Sequence, residues 1–368
     1  MNEKIKITNN QFWITTSGFV FGSSPLFLSS GTAIIAGRDA WLSAILATII
    51  GLLSIWINNY LRALYPEKTL IEVFSLLLGK WLGNIMSIIY VFSALLIGTQ
   101  IIWYVGDLIT TTYTPEISAY PVNILFVVAI VIALLYGLEA VFRAVVVYFI
   151  LLFPLYLFML LLVIPNIDIK NLLPILENGI SPVIKGTIPL LSLSVWPMII
   201  LNMVPLSCFT NAKKAKSSTF LGYLLGMFIA FIGVLMCILV LGGTITANLR
   251  YPLFVLSTEV DVGTIFQRIE GILVAVWLIT NFISTFFLIY LGVKGMSQIF
   301  KLTDYRKIVI PIGLIIAVFS QFIYKSVPYQ IRWDSETWPV LSFTEGLFIP
   351  VVLLLVSVVR KMVVKSKA

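Results

Sequence analysis

Long apolar runs, separated by short polar or charged clusters, organise this chain from end to end. A helix needs about 20 predominantly apolar residues to cross the hydrocarbon of a bilayer. Laid along the sequence, that length marks ten runs. Five fall at roughly 11–36, 40–61, 81–110, 122–138 and 144–164, and five more at 182–209, 217–246, 265–297, 307–325 and 343–359. They are continuous, without the alternation of a membrane β-barrel. The first is too long for a cleaved signal peptide, and its small residues fall mid-run.

Two of the runs are interrupted near their centres. The first carries Phe21-Gly22-Ser23-Ser24-Pro25, and the sixth carries Ser192-Leu193-Ser194-Val195-Trp196-Pro197. Proline removes a backbone donor and clashes with the preceding turn, while glycine lowers the cost of unwinding. A second correspondence follows the second span of each half, where a proline opens a short, non-spanning helical stretch at 66–74 and again at 252–260. With five spans per half, those stretches fall on opposite membrane faces. The expectation is an all-α membrane protein, one polytopic domain over 1–368, built as an inverted repeat of about 1–165 and 166–368. Paired interruptions at matching positions point to a transporter-type binding site. Taken singly, either interruption also reads as a plain kink.

Composition narrows the class. Of 368 residues, 60% are apolar and 11% charged, with a mean hydropathy of +1.05. A soluble domain is nearer one quarter charged. A cytosolic enzyme, a disordered chain and a disulfide scaffold are excluded. The chain has no histidine, so imidazole metal sites and proton shuttles are excluded too. Cys208 and Cys237 lie 29 positions apart and fit no metal or redox spacing. No metal site and no cofactor are expected. The net charge of +8 looks at first like a nucleic-acid signal. Sorted by loop, however, 17 of the 24 basic residues fall on the side of the termini and 7 on the other. That is the bias of a membrane protein with both termini cytoplasmic, and no nucleic-acid partner is implied.

Polar groups on neighbouring spans should converge where the breaks face each other. Gly22, Ser23 and Ser24 with their freed backbone amides, and Pro25, together with Ser194, Trp196 and Pro197, form the expected binding site for a small molecule. The third span adds Gln100 and Tyr104, four apart on one face, and the eighth adds Asn281 and Ser284. Such neutral groups also serve simply to join helices. Ser284 and Thr285 are weak sodium-site candidates, and bonding to their own helix is the favoured reading. Asp107, Glu139, Arg143, Arg268, Glu270 and Glu345 all read as lying near span ends, which leaves no buried carboxylate for proton coupling. No nucleotide-binding loop or catalytic motif is present.

Three strings carry a resemblance. Gly79-Lys80-Trp81-Leu82-Gly83, the loop string from Asn171 through Pro174 to Gly179, and Ile265-Phe266-Gln267-Arg268-Ile269-Glu270 running to Trp277 resemble the B subunits of spore germinant receptors. These are endospore germination permeases of the amino acid–polyamine–organocation superfamily. The resemblance implies ten transmembrane helices in a LeuT-like five-plus-five inverted repeat with broken first and sixth helices. It also implies a spore inner membrane location, assembly with germinant receptor A and C subunits, and recognition of a small nutrient such as an amino acid. Relatives usually carry a Gly-Ala-Gly-like turn and Leu-Pro-Arg at the first break, and often Gly-x-Glu in the sixth span. Here the first break reads Gly22-Ser23-Ser24-Pro25, and Pro197-Met198-Ile199 stands in the sixth, which leaves the ligand's identity open. The expected function is nutrient sensing by signalling to partner subunits. An autonomous amino-acid permease and a structural scaffold are the alternatives.

Overall fold

A computed structural model describes residues 6–22, 25–113, 116–258 and 270–366. The described chain is helical apart from loops and an isolated bridge between Ile7 and Phe209. The helices run α1 Asn9–Gly22, α2 Pro25–Ala36, α3 Ala40–Leu64, α4 Leu70–Thr112, α5 Tyr120–Tyr136, α6 Leu138–Val163 and α7 Ile180–Leu190. From α7 the chain passes into a π turn, Leu191–Val195, and a 3-10 stretch, Trp196–Met203. Then follow α8 Ala212–Asn248, α9 Pro252–Thr258, α10 Glu270–Ile299, α11 Arg306–Phe319, α12 Val327–Arg332, α13 Trp338–Phe343 and α14 Ile349–Ser366.

Local chemistry sets the boundaries. Thr69 and Glu72 form a reciprocal capping box at the start of α4, satisfying donors that no helix can pair internally. The stretch expected at 66–74 is therefore helical from Leu70, and Gly79, at φ 80°, separates it from the long remainder of α4. Its expected counterpart at 252–260 is α9; residues 259 and 260 lie outside the described residues.

Among the described residues, seven helical stretches are long and apolar enough to cross a membrane: Leu26–Leu64, Leu70–Thr112, Leu138–Asn166, Ile180–Met203, Ala212–Asn248, Glu270–Ile299 and Val327–Lys361. The protein is thus a multi-pass membrane protein. The ten expected runs map onto these with three differences. First, α1 and α11 have only 14 residues each and α5 has 17. Second, the three-residue turn Gly37–Asp39 links α2 to α3 with no extended segment between them. Third, the last helical stretch begins at Val327 rather than near residue 343. There Ser326 caps the Tyr329 amide, and Arg332 pairs with Glu336 one turn on at 2.9 Å. Charges that look like a loop in sequence are carried by a helix.

Burial identifies the centre. About two thirds of the Ile180–Met203 and Glu270–Ile299 spans is buried, against 22% for Leu138–Asn166. α1 packs along α8 and α10, α4 along α10, and α2 and α3 against α7 and α8. Outward-facing Ile34, Leu53, Leu125, Ile150 and Leu314 are exposed. In water that surface would drive association; against lipid it is matched.

Candidate functional site

The first break ends α1 at Gly22, tight against α10. A Cβ built on Gly22 would lie 2.3 Å from the Thr280 carbonyl oxygen. No side chain fits in that gap, so glycine allows the contact as well as the break. One turn before it, the Phe19 carbonyl accepts from the Ser284 hydroxyl at 3.5 Å. Thr285 is fully buried, and its hydroxyl has no partner among the described residues. Asn281 instead donates to Trp277 on its own helix. Ser23, Ser24 and the side chain of Pro25 lie outside the described residues.

The second break is the π turn and 3-10 stretch after α7. Pro189 and Pro197 each remove an amide from the ladder, and Ser194, Trp196 and the intervening Val195 are buried there. α13 and the turn after it hold the segment in place. Ser342 donates to the Ser192 carbonyl at 2.8 Å, the Trp196 ring meets Phe343 edge-on, and a Cβ on Gly346 would lie 2.1 Å from the Trp196 carbonyl oxygen. A cavity lined by Tyr90, Trp196, Pro197, Trp338 and Glu345 opens beside it. α1 also packs directly on the π turn, so the helix that ends at the first break lies against the second.

The remaining predicted residues, Gln100 and Tyr104, lie on α4. Gln100 is buried in α4. Tyr104, one turn along, belongs to a network at one end of the bundle. It donates to Asp334, while Gln330 also reaches Asp334 and Tyr324 stands 3.2 Å from the Tyr104 hydroxyl. Phe27 of α2 packs its ring on Tyr104, Tyr251 and Trp277. Beside them Asp107 accepts from Tyr251 and pairs with Arg250, both at 2.6 Å. Burial, and then the Asp107 carboxylate, push the Tyr251 hydroxyl above its ordinary value, which keeps it a donor. Aromatic rings thus cluster on Phe27 near the start of α2, tied by carboxylates.

At the opposite end Arg62 is buried. Its guanidinium gives two hydrogen bonds to the Val204 carbonyl and sits 4.9 Å from the ring centres of Phe12 and Phe209. The Ile7 amide donates to Cys208 across the same contact. The start of α1, the end of α3 and the segment after the second break are clamped together.

Three participants were not foreseen: Asp334, Glu345 and Arg62. In sequence Glu345 reads as lying near a span end, and Asp334 precedes the run at 343–359. The helix from Val327 brings them within Val327–Lys361, where both are half-buried, so carboxylates do stand on a helix long enough to span the membrane. The signal was available in Ser326-Val327-Pro328, a helix-start pattern. No group of three or more Cys, Asp or Glu side chains that could hold a metal occurs among the described residues.

Comparison with known proteins fits this architecture. Over 362 residues the chain is 25% identical to spore germination protein KB of Bacillus subtilis (strain 168), covering 98% of this chain and 96% of that protein. It is 26% identical over 296 residues to spore germination protein A2 of the same organism, covering 77% of each. In structure it resembles MHP1, a nucleobase-cation-symport-1 family transporter in a closed conformation with bromovinylhydantoin bound. The TM-score is 0.66 at 11% identity, over 89% of this chain and 74% of that one. MhsT in complex with L-phenylalanine gives 0.59 at 13% identity, over 95% and 97%. These likenesses show the fold, that of LeuT-type transporters. The profile described as "Spore germination protein" matches residues 6–327, from the strand-like pairing at Ile7 to the start of α12; the chain belongs to that family.

Proposed function

We propose that the protein is the nutrient-sensing B subunit of a spore germinant receptor, binding a small amino-acid-like molecule between its two helical breaks. The observation that carries the reading is the direct packing of α1 on the Leu191–Val195 turn, within a fold shared with MhsT in complex with L-phenylalanine. Unwound backbone in a membrane persists only where protein buries it or where it lines a cavity. The ligand's carboxylate faces the backbone N–H groups of the break that Pro25 closes, at a helix N-terminus suited to anions. Its side chain meets Trp196 and Pro197, while Gln100, Tyr104, Ser194, Asn281 and Ser284 surround it. Ligand binding shifts the population of packings of the two halves.

The finer architecture belongs to the same proposal. Ten spans form two inverted sets of five, with α1–α2 and Ile180–Met203 as the broken first members. The termini and Arg62 face the cytoplasm, in the spore inner membrane, and receptor A and C subunits relay the signal. In spores carrying Ser24→Ala or Trp196→Ala at matched protein levels, the germinant dose–response midpoint should rise in at least one variant. Unchanged midpoints in both would overturn the site. Uptake by the purified chain in liposomes, driven by a sodium or proton gradient, would instead favour an autonomous permease.

A further inference from the structure

Trp196, which the nutrient site also uses, shares the cavity beside the second break with Trp338 and Glu345, which it does not. Trp196 and Trp338 are 6% and 7% exposed, and each indole N–H lacks a hydrogen-bond partner among the described residues. Glu345 Oε1 is buried and likewise without one. All three side chains line the same cavity of about 20 Å³. A single water needs roughly 10–15 Å³ and two to four polar partners, so the space suits one water-sized guest. An amino acid does not fit there in this packing.

The donor set selects the guest. Two indole N–H groups repel a metal cation, and the other lining groups are apolar except Tyr90 and Ser342. Ser342 is committed to the Ser192 carbonyl, and the Tyr90 hydroxyl to the backbone carbonyl of Glu345. Tyr90, from α4, is the one other titratable side chain lining the cavity; the 3-10 stretch and α10 contribute Trp196, Pro197, Ile199, Ile200 and Leu291, none of them charged. Ser93 hydrogen-bonds the carboxyl, which leaves Oε1 as its unpartnered oxygen among the described residues. A carboxylate buried without a counter-charge is expensive, whereas a neutral acid sharing a water is not. Ionisable groups placed this way inside a membrane are functional by default.

We infer that Glu345 is a proton-binding site at the second break, its carboxyl bridged through one water to the indole N–H groups of Trp196 and Trp338. When the break is closed, the carboxylate takes a proton from hydronium, giving the acid and water. When the break opens and water enters, the acid returns that proton to water. Gly346 packs on the Trp196 carbonyl, so protonation and the position of the unwound segment are mechanically joined. The two packings then differ by one proton, and pH acts as a second ligand. The inference shares Trp196 with the nutrient reading but requires no nutrient, so the two can fail separately.

The test uses the full chain in lipid nanodiscs and infrared difference spectroscopy across a pH titration, with no nutrient present. Wild type should show a carboxylic-acid C=O band that shifts in D₂O and is lost in a one-proton transition. Glu345→Gln should remove that band, Glu345→Asp should keep it at a shifted frequency, and Trp338→Phe should shift it by deleting a donor. Asp334→Asn should leave it in place. Equal elution on size exclusion checks that each variant is folded. Survival of the band in Glu345→Gln would overturn the assignment. So would a wild-type carboxylate signal that responds to sodium or potassium but not to pH.

Discussion

The Tyr104 hydroxyl lies 2.6 and 2.7 Å from the two oxygens of Asp334, joining α4 to the last helical stretch across 230 positions of sequence. Of the residues proposed for the ligand site, it is the one committed to a carboxylate instead. Removing the hydroxyl with Tyr104→Phe leaves a buried acceptor short of a donor, a loss of about 1–3 kcal/mol. Asp334→Asn should cost less, because the amide oxygen still accepts. The double variant should be less destabilised than the sum, with a coupling of about 0.5–3 kcal/mol. Denaturant unfolding in detergent measures all three; strict additivity would show that the pair is not coupled.

Gly22→Ala should be severe for a residue of such small size. Its Cβ would meet the Thr280 backbone at 2.3 to 2.6 Å, and a carbonyl held in α10 has little room to yield. Overpacking of this kind costs about 1–3 kcal/mol. Spores carrying Gly22→Ala should contain less of the protein and respond more weakly to germinant. Wild-type abundance and dose response would show that the contact relaxes freely.

Thr69→Ala isolates a purely structural contribution. The substitution removes the hydroxyl that accepts from Glu72 N–H at 3.4 Å and also contacts Gln298 at 3.1 Å. A lost cap costs about 1 kcal/mol. The melting temperature should fall by a few degrees, while the germinant midpoint, read in spores with matched protein levels, stays in place. A displaced midpoint would mean that the short helix before Gly79 takes part in signalling.

How legible these contacts were in the sequence depended on their range. Both breaks were readable, because glycine and proline act on their own turn: α1 ends at Gly22, and the helix after α7 loses its regular ladder around Pro197. The partners of the breaks were not. Gln100 and Tyr104 share a face as their spacing requires, yet what Tyr104 binds is set by a helix more than 200 positions away. Asp334 and Glu345 were hidden because Arg332, Asp334 and Glu336 look like a loop until Arg332 and Glu336 pair outward and Asp334 turns in. Arg62 looked like a loop charge in the topology count. Nothing near it in sequence shows that Phe209 and Val204 will bury it.

That buried arginine yields the sharpest conformational test. Arg62 ties the end of α3 to Phe12 of α1 and to the Val204–Phe209 segment, and Cys208 lies within that segment, partly buried. Burial pushes the Cys208 thiol up, against the opposing pull of Arg62 and Lys294. In wild type, labelling by a thiolate-selective reagent should therefore still be rising at a pH where a free cysteine has levelled off. Arg62→Ala removes one favourable charge, which alone would slow labelling. It also frees Phe12 and Phe209 to separate, which hydrates the thiol. If the clamp holds this end closed, the second effect wins: Cys208 labels faster at every pH, and its profile moves toward that of free cysteine. Cys237, fully buried in α8, provides the internal control and should stay unlabelled in both proteins. Arg62→Lys keeps the charge but not the forked donor geometry, so it should fall between the two. Slower labelling in Arg62→Ala would show that the charge alone mattered and that this end of the bundle is held by other contacts.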